Sequence, residues 1–280
     1  MKRTLYTLLC CTAILAAIHP ATAGTTNTAS TVVIPIQSII GKGLLYVIRR
    51  GVDRALNENA TTIIFDMNTP GGRVDVMEEI IRTLIDLPEN IETITFINKD
   101  ALSAGSMIAI ATKHIYMAPG SRIGASAIVT QGGDIEEGDM KEKHVSAMTS
   151  LVRRAATSSG HDPDLVESMI RRDMEYKVGD EIICKEGQLL TLSDLDATRI
   201  VTRESGEEPL LAAGTADSLD DLLTQLGLSD TPIHRIEVTS TERIASFIEL
   251  FSMIFLAGGL LGIYIEFKTP GFGTPGIAGM

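Results

Sequence analysis

The sequence between residues 31 and 110 alternates β-branched runs with amphipathic segments, and this alternation is the strongest constraint on the fold. The strand-like runs are "TVVIPIQ", "TTIIFDMN" and "IETITFIN". The segments between them carry apolar residues at helical spacing: Leu44, Val47, Ile48, Val52 and Leu56 in the first, and Met77, Ile80, Ile81, Leu84 and Leu87 in the second. Because strands connected through helices pair in parallel, the pattern predicts an α/β fold with a largely parallel sheet.

An apolar stretch lies near each end of the chain. Residues 1–23 combine a positive start, an apolar run and the small-residue sequence Ala21-Thr22-Ala23, which is typical of a cleaved secretory signal peptide. An uncleaved anchor helix is the alternative. Residues 244–267 are predicted to form a C-terminal transmembrane helix, and a buried helix of the soluble domain is the alternative.

The two apolar stretches divide the chain into regions. We expect residues 24–243 to form the folded domain and the signal peptide to export it from the cytoplasm. The Pro- and Gly-rich residues 268–280 are interpreted as the start of a truncated membrane region. Residues 203–216 are polar and rich in glycine, so we predict a loop there.

Charge and cysteine content exclude several classes of function. The formal net charge is −12, and removal of Lys2 and Arg3 with the signal peptide changes it to −14, so we expect no nucleic-acid binding through a basic face. Two of the three cysteines lie in the signal peptide, which leaves Cys184 without an intrachain disulfide partner. We predict neither a metal site nor a cofactor, because the ligands for a structural zinc site are missing.

A glycine-rich loop follows the second predicted strand at residues 68–74, "NTPGGRV". Successive glycines free the backbone to point its N–H groups into one concavity, which can hold a phosphate or an oxyanion. The P-loop lysine and a G-x-G-x-x-G pattern are absent from this loop, so a nucleotide site is poorly supported. A plain Pro-Gly-Gly turn is the alternative.

A second loop follows the third predicted strand, within "ALSAGSMIAIATKH". Ser103 stands where the strand changes to a helix, at the sheet edge where open α/β sheets place their sites. Its hydroxyl is a candidate nucleophile, and the adjacent helix N-terminus favours developing negative charge. A helix cap is the alternative role for Ser103, and Ser106 is an alternative nucleophile.

The two loops end consecutive strand units, so a parallel sheet places them at the same edge. The glycine N–H groups can then face the serine hydroxyl. A nucleophile on one side and an oxyanion hole on the other is the arrangement that acyl transfer requires.

Three motifs in order, "FDMNTPGGRV", "ALSAGSMIAIATKHIYMAPGSRIGAS" and "GIYIEFKTPGFGTPGIAG", resemble the long form of the NfeD family. These are membrane-bound serine proteases of the Clp-protease class, related to signal peptide peptidase A. The resemblance implies a ClpP/crotonase-like superhelix of β-α units. It also implies Ser103 as the nucleophile and the N–H groups of Gly72 and Ala104 as the oxyanion hole. The turn formed by Gly71, Gly72, Arg73 and Val74 is expected to bind substrate.

The general base is the open point of this interpretation. The resemblance implies a Ser-Lys dyad as the catalytic pair. When the helix that would carry the lysine is aligned with the family, Arg153 occupies the position of that lysine. An arginine stays protonated, with a pKa above about 12, so Arg153 is expected to bind a carboxylate at the cleft edge and not to act as a base. Lys141 and Lys143 are candidate bases, placed in a loop before a predicted helix at residues 144–158, and solvated surface lysines are the alternative.

Three other titratable side chains near these motifs are assigned structural roles. His114 and His144 are further candidate bases, each expected to be structural. Asp66 is expected to lie on the strand before the glycine loop and to belong to no triad.

The resemblance further implies partners and a location. The expected substrate or partner is a stomatin-like (SPFH) membrane protein, the expected assembly is a homodimer, and the protease domain is expected outside the cytoplasm, periplasmic or extracellular, in a multi-pass protein. Two other hypotheses stay open. A catalytically idle scaffold that binds a stomatin-like partner is favoured by Arg153, whereas crotonase-like acyl-CoA chemistry is disfavoured by the export signal.

Overall fold

The computed structural model describes residues 30–126, 129–130, 133–134, 139–204 and 206–268, with only the main chain at residues 129–130, 133–134, 139–142, 250 and 253. The predicted signal peptide and residues 269–280 lie outside the described residues. In the described ranges the helices are α1 (Lys42–Asn57), α2 (Val74–Ile85), α3 (Ala104–Ile110), α4 (Asp139–Ser159), α5 (Pro163–Ser168), α6 (Asp194–Thr198), α7 (Leu219–Gln225) and α8 (Ser240–Lys268).

Most strands of the described residues belong to one sheet, and the others form two-stranded hairpins. In chain order the strands are β1 (Thr31–Ile36), β2 (Thr62–Thr69), β3 (Glu92–Leu102), β4 (His114–Met117), β5 (Arg122–Gly124), β6 (Val129–Thr130), β7 (Gly133–Asp134), β8 (Tyr176–Val178), β9 (Glu181–Cys184), β10 (Thr191–Ser193), β11 (Ile200–Arg203), β12 (Gly206–Pro209), β13 (Gly214–Thr215) and β14 (Ile233–Arg235).

The main sheet has the strand order β10-β5-β3-β2-β1-β14, and β4 pairs with both β3 and β13. All its pairings are parallel except that between β10 and β5. The long strand β3 pairs with β4 in its first half and with β5 in its second half. The structure thus confirms the predicted α/β class with a largely parallel sheet.

Apolar side chains cover both faces of the sheet. The larger cluster contains the apolar faces of α1, α2, α3 and α4, whereas a smaller one on the other face includes Phe96, Leu222 and Leu223. Parallel strands are buried on both faces, which is why β1 and β2 are nearly continuous apolar runs. Leu56, predicted on the buried face of α1, is 42% exposed, and Ala55 is buried instead.

Two predicted boundaries are wrong. Helix α4 begins at Asp139, so Lys141 and Lys143 lie in its first turns and not in a loop before it. Acidic residues such as Asp139 favour a helix N-terminus, where they interact with the helix dipole. Residues 203–216, predicted to be a loop, contain β12 and β13. Strand β12 forms a hairpin with the preceding β11, whereas β13 is stabilised by β4, which is distant in sequence.

The first half of helix α8 packs on the domain. No single helix in the described part of the chain has the length and apolar character that a bilayer crossing requires. The segments Ser240–Glu249 and Ile254–Lys268 have the required length and apolar character only when taken together, and the pair is bent by 61°. Side chains of the second half are largely exposed, among them Phe255, Leu260 and Phe267. The predicted transmembrane helix at residues 244–267 therefore stays a prediction.

Candidate active site

Ser103 sits in a sharp turn between a strand and a helix. Strand β3 ends at Leu102 and α3 begins at Ala104. Ser103 itself has φ +52° and ψ −126°, a backbone conformation that L-residues rarely adopt. Its side chain makes no cap hydrogen bond to α3, so the predicted alternative of a plain helix cap is wrong. A strained residue of this kind persists only where the surrounding structure determines it.

Hydrogen bonds to both sides of the Ser103 peptide hold this conformation. The Ser103 N–H donates to the Gly124 carbonyl at 3.0 Å. The Ser103 carbonyl accepts from Ser106 Oγ at 2.7 Å and from Ser126 Oγ at 3.2 Å, and those two hydroxyls lie 2.6 Å apart. Ser106 is fully buried and engaged in these bonds, so it supports the turn and is not accessible as a nucleophile.

The glycine turn, defined as residues 71–73, touches Ser103 directly. Gly71 has φ +108°. A Cβ added to Gly71 would lie 2.7 Å from Ser103 Cβ and 3.2 Å from Ser103 Oγ. The distance of 2.7 Å is shorter than Cβ atoms in proteins tolerate. Glycine is therefore required at position 71 by conformation and by space. The structure brings together the two loops that the sequence places at one sheet edge.

A short parallel bridge orients the glycine turn. The Ile40 N–H donates to the Gly71 carbonyl at 2.9 Å, and the Arg73 N–H donates to the Ile40 carbonyl at 2.8 Å. The N–H and the carbonyl group of Gly72 itself, which lies between these two bonds, point away from Ile40. Gly72 is exposed, and among the described residues neither its N–H nor that of Ala104 has an acceptor. The N–H of the exposed Gly72 is thus available to a ligand, and the unpaired N–H of Ala104 belongs to the residue after Ser103, which is 4% exposed.

The last two residues predicted to bind substrate flank the start of α2. Arg73 donates to Asp75 at 3.0 Å and 2.7 Å, which raises the pKa of Arg73 and lowers the pKa of the Asp75 carboxyl. The guanidinium also lies 3.5 Å from Glu249 of α8. Val74, the first residue of α2, is half-buried against the core, so its side chain is only partly available to a ligand.

Arg153 does not reach toward the serine as a base. Its guanidinium donates to Asp164 and to Glu167 of α5, both at 2.6 Å. Those hydrogen bonds, that to Asp164 foremost, raise the pKa of Arg153 above its ordinary value. Arg153 therefore binds carboxylates, but they are those of Asp164 and Glu167 in α5, the helix that follows α4.

The other candidate bases are spread over the surface. Lys143 and His144 are exposed on α4, and of Lys141 only the main chain is described. His114 is exposed beside Glu92. Asp66 lies on β2 and accepts from Gln37 and Asn98, while burial raises its carboxyl pKa. Within the described ranges, no side chain is hydrogen-bonded to Ser103 Oγ.

Sequence reasoning missed two contributors to the site. Ser126 supports the Ser103 carbonyl from a position 23 residues away, and Glu249 of α8 approaches the glycine turn. Nothing in the sequence around Ser126 indicates its contact with Ser103. Glu249, by contrast, is the single acidic residue within the otherwise apolar residues 244–265, and such an isolated charge indicates a specific partner. No group of three His, Cys, Asp or Glu side chains that could bind a metal occurs in the described part of the chain.

Comparison with known proteins identifies the family. The model of the NfeD1b N-terminal domain matches residues 30–236. The membrane protein NfeD1b of Bacillus subtilis is 32% identical over 255 residues, which are 89% of this chain and 53% of that protein. The membrane-bound protease PH1510 of Pyrococcus horikoshii is 25% identical over 238 residues, 82% of this chain and 51% of that one.

A solved structure agrees with these relatives at the level of the fold. The 1510-N membrane-bound stomatin-specific protease in complex with a substrate peptide superimposes with a TM-score of 0.59 at 21% identity, covering 79% of this chain and 97% of that one. The chain spans about half the length of the curated relatives it matches. With a family model that matches residues 30–236, the chain belongs to the NfeD1b family and contains its N-terminal domain.

Proposed function

We propose that the chain is a membrane-anchored serine endopeptidase that cleaves hydrophobic segments of stomatin-like membrane proteins. The observation that carries this proposal is the contact between Ser103, held at φ +52°, and a glycine turn with a free N–H at Gly72. A relative named as a membrane-bound protease and a neighbouring structure named as stomatin-specific support the reaction and the substrate class.

The site residues have distinct roles in the proposed reaction. Ser103 Oγ attacks the scissile carbonyl, and the N–H groups of Gly72 and Ala104 donate to the oxyanion that forms. Collapse of the tetrahedral intermediate expels the amine and leaves an acyl-enzyme, which water hydrolyses. Lys141 or Lys143, in the first turns of α4, supplies the base, and its pKa must be lowered at the site for that role.

The membrane arrangement is part of the same proposal. Residues 1–23 act as the signal peptide. Within the predicted segment 244–267, the part that follows Glu249 enters the membrane, because Glu249 itself contacts the domain, and this places the protease domain outside the cytoplasm. The exposed apolar side chains of the second half of α8 support this assignment, because a soluble domain rarely exposes so many. The domain adopts the ClpP/crotonase-like superhelix and acts as a homodimer.

The test uses the full chain in detergent micelles and a hydrophobic peptide from the C-terminus of a stomatin-like protein. Ser103→Ala is expected to lower kcat by at least about 1,000-fold, because it removes the nucleophile. The matched control is Ser229→Ala, at an exposed serine that follows α7 and contacts no residue of the proposed site, which keeps full activity. Equal cleavage by the wild type and Ser103→Ala contradicts the proposal. If Ser103→Ala abolishes cleavage, Lys141→Ala and Lys143→Ala then separate the two candidate bases.

A second candidate function is an idle scaffold that binds a stomatin-like partner. Arg153 at the position of the family lysine, bound to Asp164 and Glu167, favours it. Under this hypothesis the wild type and Ser103→Ala bind the peptide equally and neither cleaves it. Cleavage by the wild type alone rules it out.

A further inference from the structure

The first half of α8 docks on bare backbone at the start of α1. A Cβ on Gly41 would lie 2.5 Å from Glu249 Oε2, and one on Gly43 would lie 2.3 Å from Ser246 Oγ. Neither glycine has a positive φ, so the restriction is one of space. At Gly43 the close atoms include the Glu242 carbonyl oxygen at 3.0 Å, whereas at Gly41 they belong to the Glu249 carboxylate, which an added Cβ would displace. The sequence "GKG" therefore marks the place where α8 reaches the domain.

Glu249 binds two elements at this point. Its Oε2 accepts from the Lys42 N–H at 2.9 Å, which satisfies one of the free N–H groups at the start of α1. Its Oε1 lies 3.5 Å from Arg73 Nη1 of the glycine turn. The Glu249 side chain is 26% exposed, and its Oε1 is buried without a hydrogen-bond partner in the described residues, so solvent screens these contacts only in part.

A short series of contacts connects Glu249 to the nucleophile. Lys42 follows Ile40 by two residues, and Ile40 pairs with the glycine turn on both sides of Gly72. A Cβ on Gly72 would lie 2.2 Å from the Ile40 carbonyl oxygen, so the two segments are in contact. Gly71 in turn touches Ser103. Glu249 thus holds the glycine turn directly through Arg73 and indirectly through residues 40–42.

We propose that Glu249 is a positioning residue, which clamps the glycine turn to α8 so that docking of this helix sets the Gly72 N–H against Ser103. The inference rests on the proposed function for its catalytic consequence. Glu249 is also the last residue of the first half of α8, before the bend toward Ile254–Lys268. The clamp therefore joins the active site to the segment proposed to enter the membrane, and it makes activity depend on how α8 leaves the domain.

The experiment compares Glu249→Gln with Glu242→Gln in the full chain in detergent micelles. Glu242 is the matched control, because it pairs α8 with Arg50 of α1 at 2.9 Å without contacting the glycine turn. Two quantities are measured: amide hydrogen exchange at residues 71–73, and the rate at which a fluorophosphonate probe modifies Ser103. Steady-state peptide cleavage separates kcat from KM.

Glu249→Gln is expected to raise exchange at the Arg73 amide and to lower both the modification rate and kcat by about 10-fold, with KM within about 2-fold. Glu242→Gln leaves the exchange at residues 71–73, the modification rate and kcat unchanged, because Glu249 still contacts the glycine turn. Gly41→Ala, which pushes the Glu249 carboxylate away without changing charge, reproduces the effects of Glu249→Gln.

Two results separate the clamp from the proposed function. Unchanged exchange and modification in both Glu249→Gln and Gly41→Ala overturn the clamp. A wild type that reacts with neither probe nor peptide, although exchange at the glycine turn still rises in Glu249→Gln, overturns the protease and supports the clamp.

Discussion

Ser103 and Gly71 both have positive φ, and they touch each other. The two conformations have different causes. That of Ser103 is fixed by the Gly124 carbonyl and by the hydroxyls of Ser106 and Ser126, whereas Gly71 adopts its conformation at little cost because it has no side chain. The strain at Ser103 is thus compensated by buried hydrogen bonds, which keep the nucleophile beside the turn before any ligand arrives.

Replacing Gly71 by alanine tests this contact. The new Cβ would lie 2.7 Å from Ser103 Cβ and 3.0 Å from the Leu102 carbonyl, so the turn or the serine must move. We expect Gly71→Ala to lower the rate of Ser103 modification by a fluorophosphonate by at least about 10-fold and to cost about 1–3 kcal/mol in the free energy of unfolding.

The matched control for Gly71→Ala is Gly120→Ala. Gly120 has φ +79° and open space around its Cα, so alanine meets only the backbone cost there. It is expected to lose stability by about 1 kcal/mol and to keep the wild-type modification rate. Equal modification rates in the two variants contradict the role of the contact.

At the scale of elements, a half-buried histidine connects the end of α4 to the α3–β4 turn. His161 Nε2 donates to the Thr112 carbonyl at 2.7 Å. Burial lowers the pKa of His161 below its ordinary value, because the charged imidazolium loses its hydration. The folded state therefore excludes a proton that the unfolded chain accepts as the pH falls through about 6.5.

The sign of the resulting pH dependence follows from linkage. The contribution of neutral His161 is complete above the unfolded pKa and is lost as the pH falls below it, since the unfolded state binds more protons there. We expect the Tm to decrease from about pH 7.5 to about pH 5.5, and His161→Gln to reduce this decrease. His144→Gln, at an exposed position of α4, keeps the wild-type dependence. An identical dependence in His161→Gln and the wild type contradicts the assignment.

The elements that the sequence predicts well are those with a long internal pattern. Helices α1 and α2 and strands β1, β2 and β3 each repeat an apolar period over many residues, and the pattern alone places them. Strand β13 has two residues, and its pairing with β4 is set by residues about a hundred positions away. No local pattern can encode such an element. Strand β12, with the sequence GEEP, pairs locally with β11 but carries no apolar residue to indicate a strand, so residues 203–216 were predicted to be a loop.

At the scale of the whole molecule, the site also contains parts that a local sequence pattern predicts and parts that depend on residues distant in sequence. The glycine turn and Ser103 are predictable because each ends a periodic strand, and a parallel sheet brings strand ends together. Glu249 lies 207 residues from Lys42 in sequence, so its contact depends on the final docking of α8. The sequence shows a charge in an apolar segment but not the partner that the charge meets.

The attachment of α8 to the domain provides the last prediction. A Cβ on Gly43 would lie 2.3 Å from Ser246 Oγ and 3.0 Å from the Glu242 carbonyl oxygen, and that main-chain oxygen cannot rotate away. We expect Gly43→Ala to displace the first half of α8 and raise amide exchange across residues 240–249. The Tm of the domain should change little, because among the described residues none of α8 belongs to either apolar cluster.

The matched control is Gly258→Ala, in the second half of the same helix. No atom lies within 4 Å of a Cβ there, so alanine only adds helix propensity, about 1 kcal/mol. Exchange at residues 240–249 is expected to stay at the wild-type level in this variant. If Gly43→Ala leaves that exchange unchanged as well, α8 is held by contacts other than the backbone of α1. If exchange rises at residues 240–249 and at residues 71–73 together, the helix and the active-site turn move as one unit.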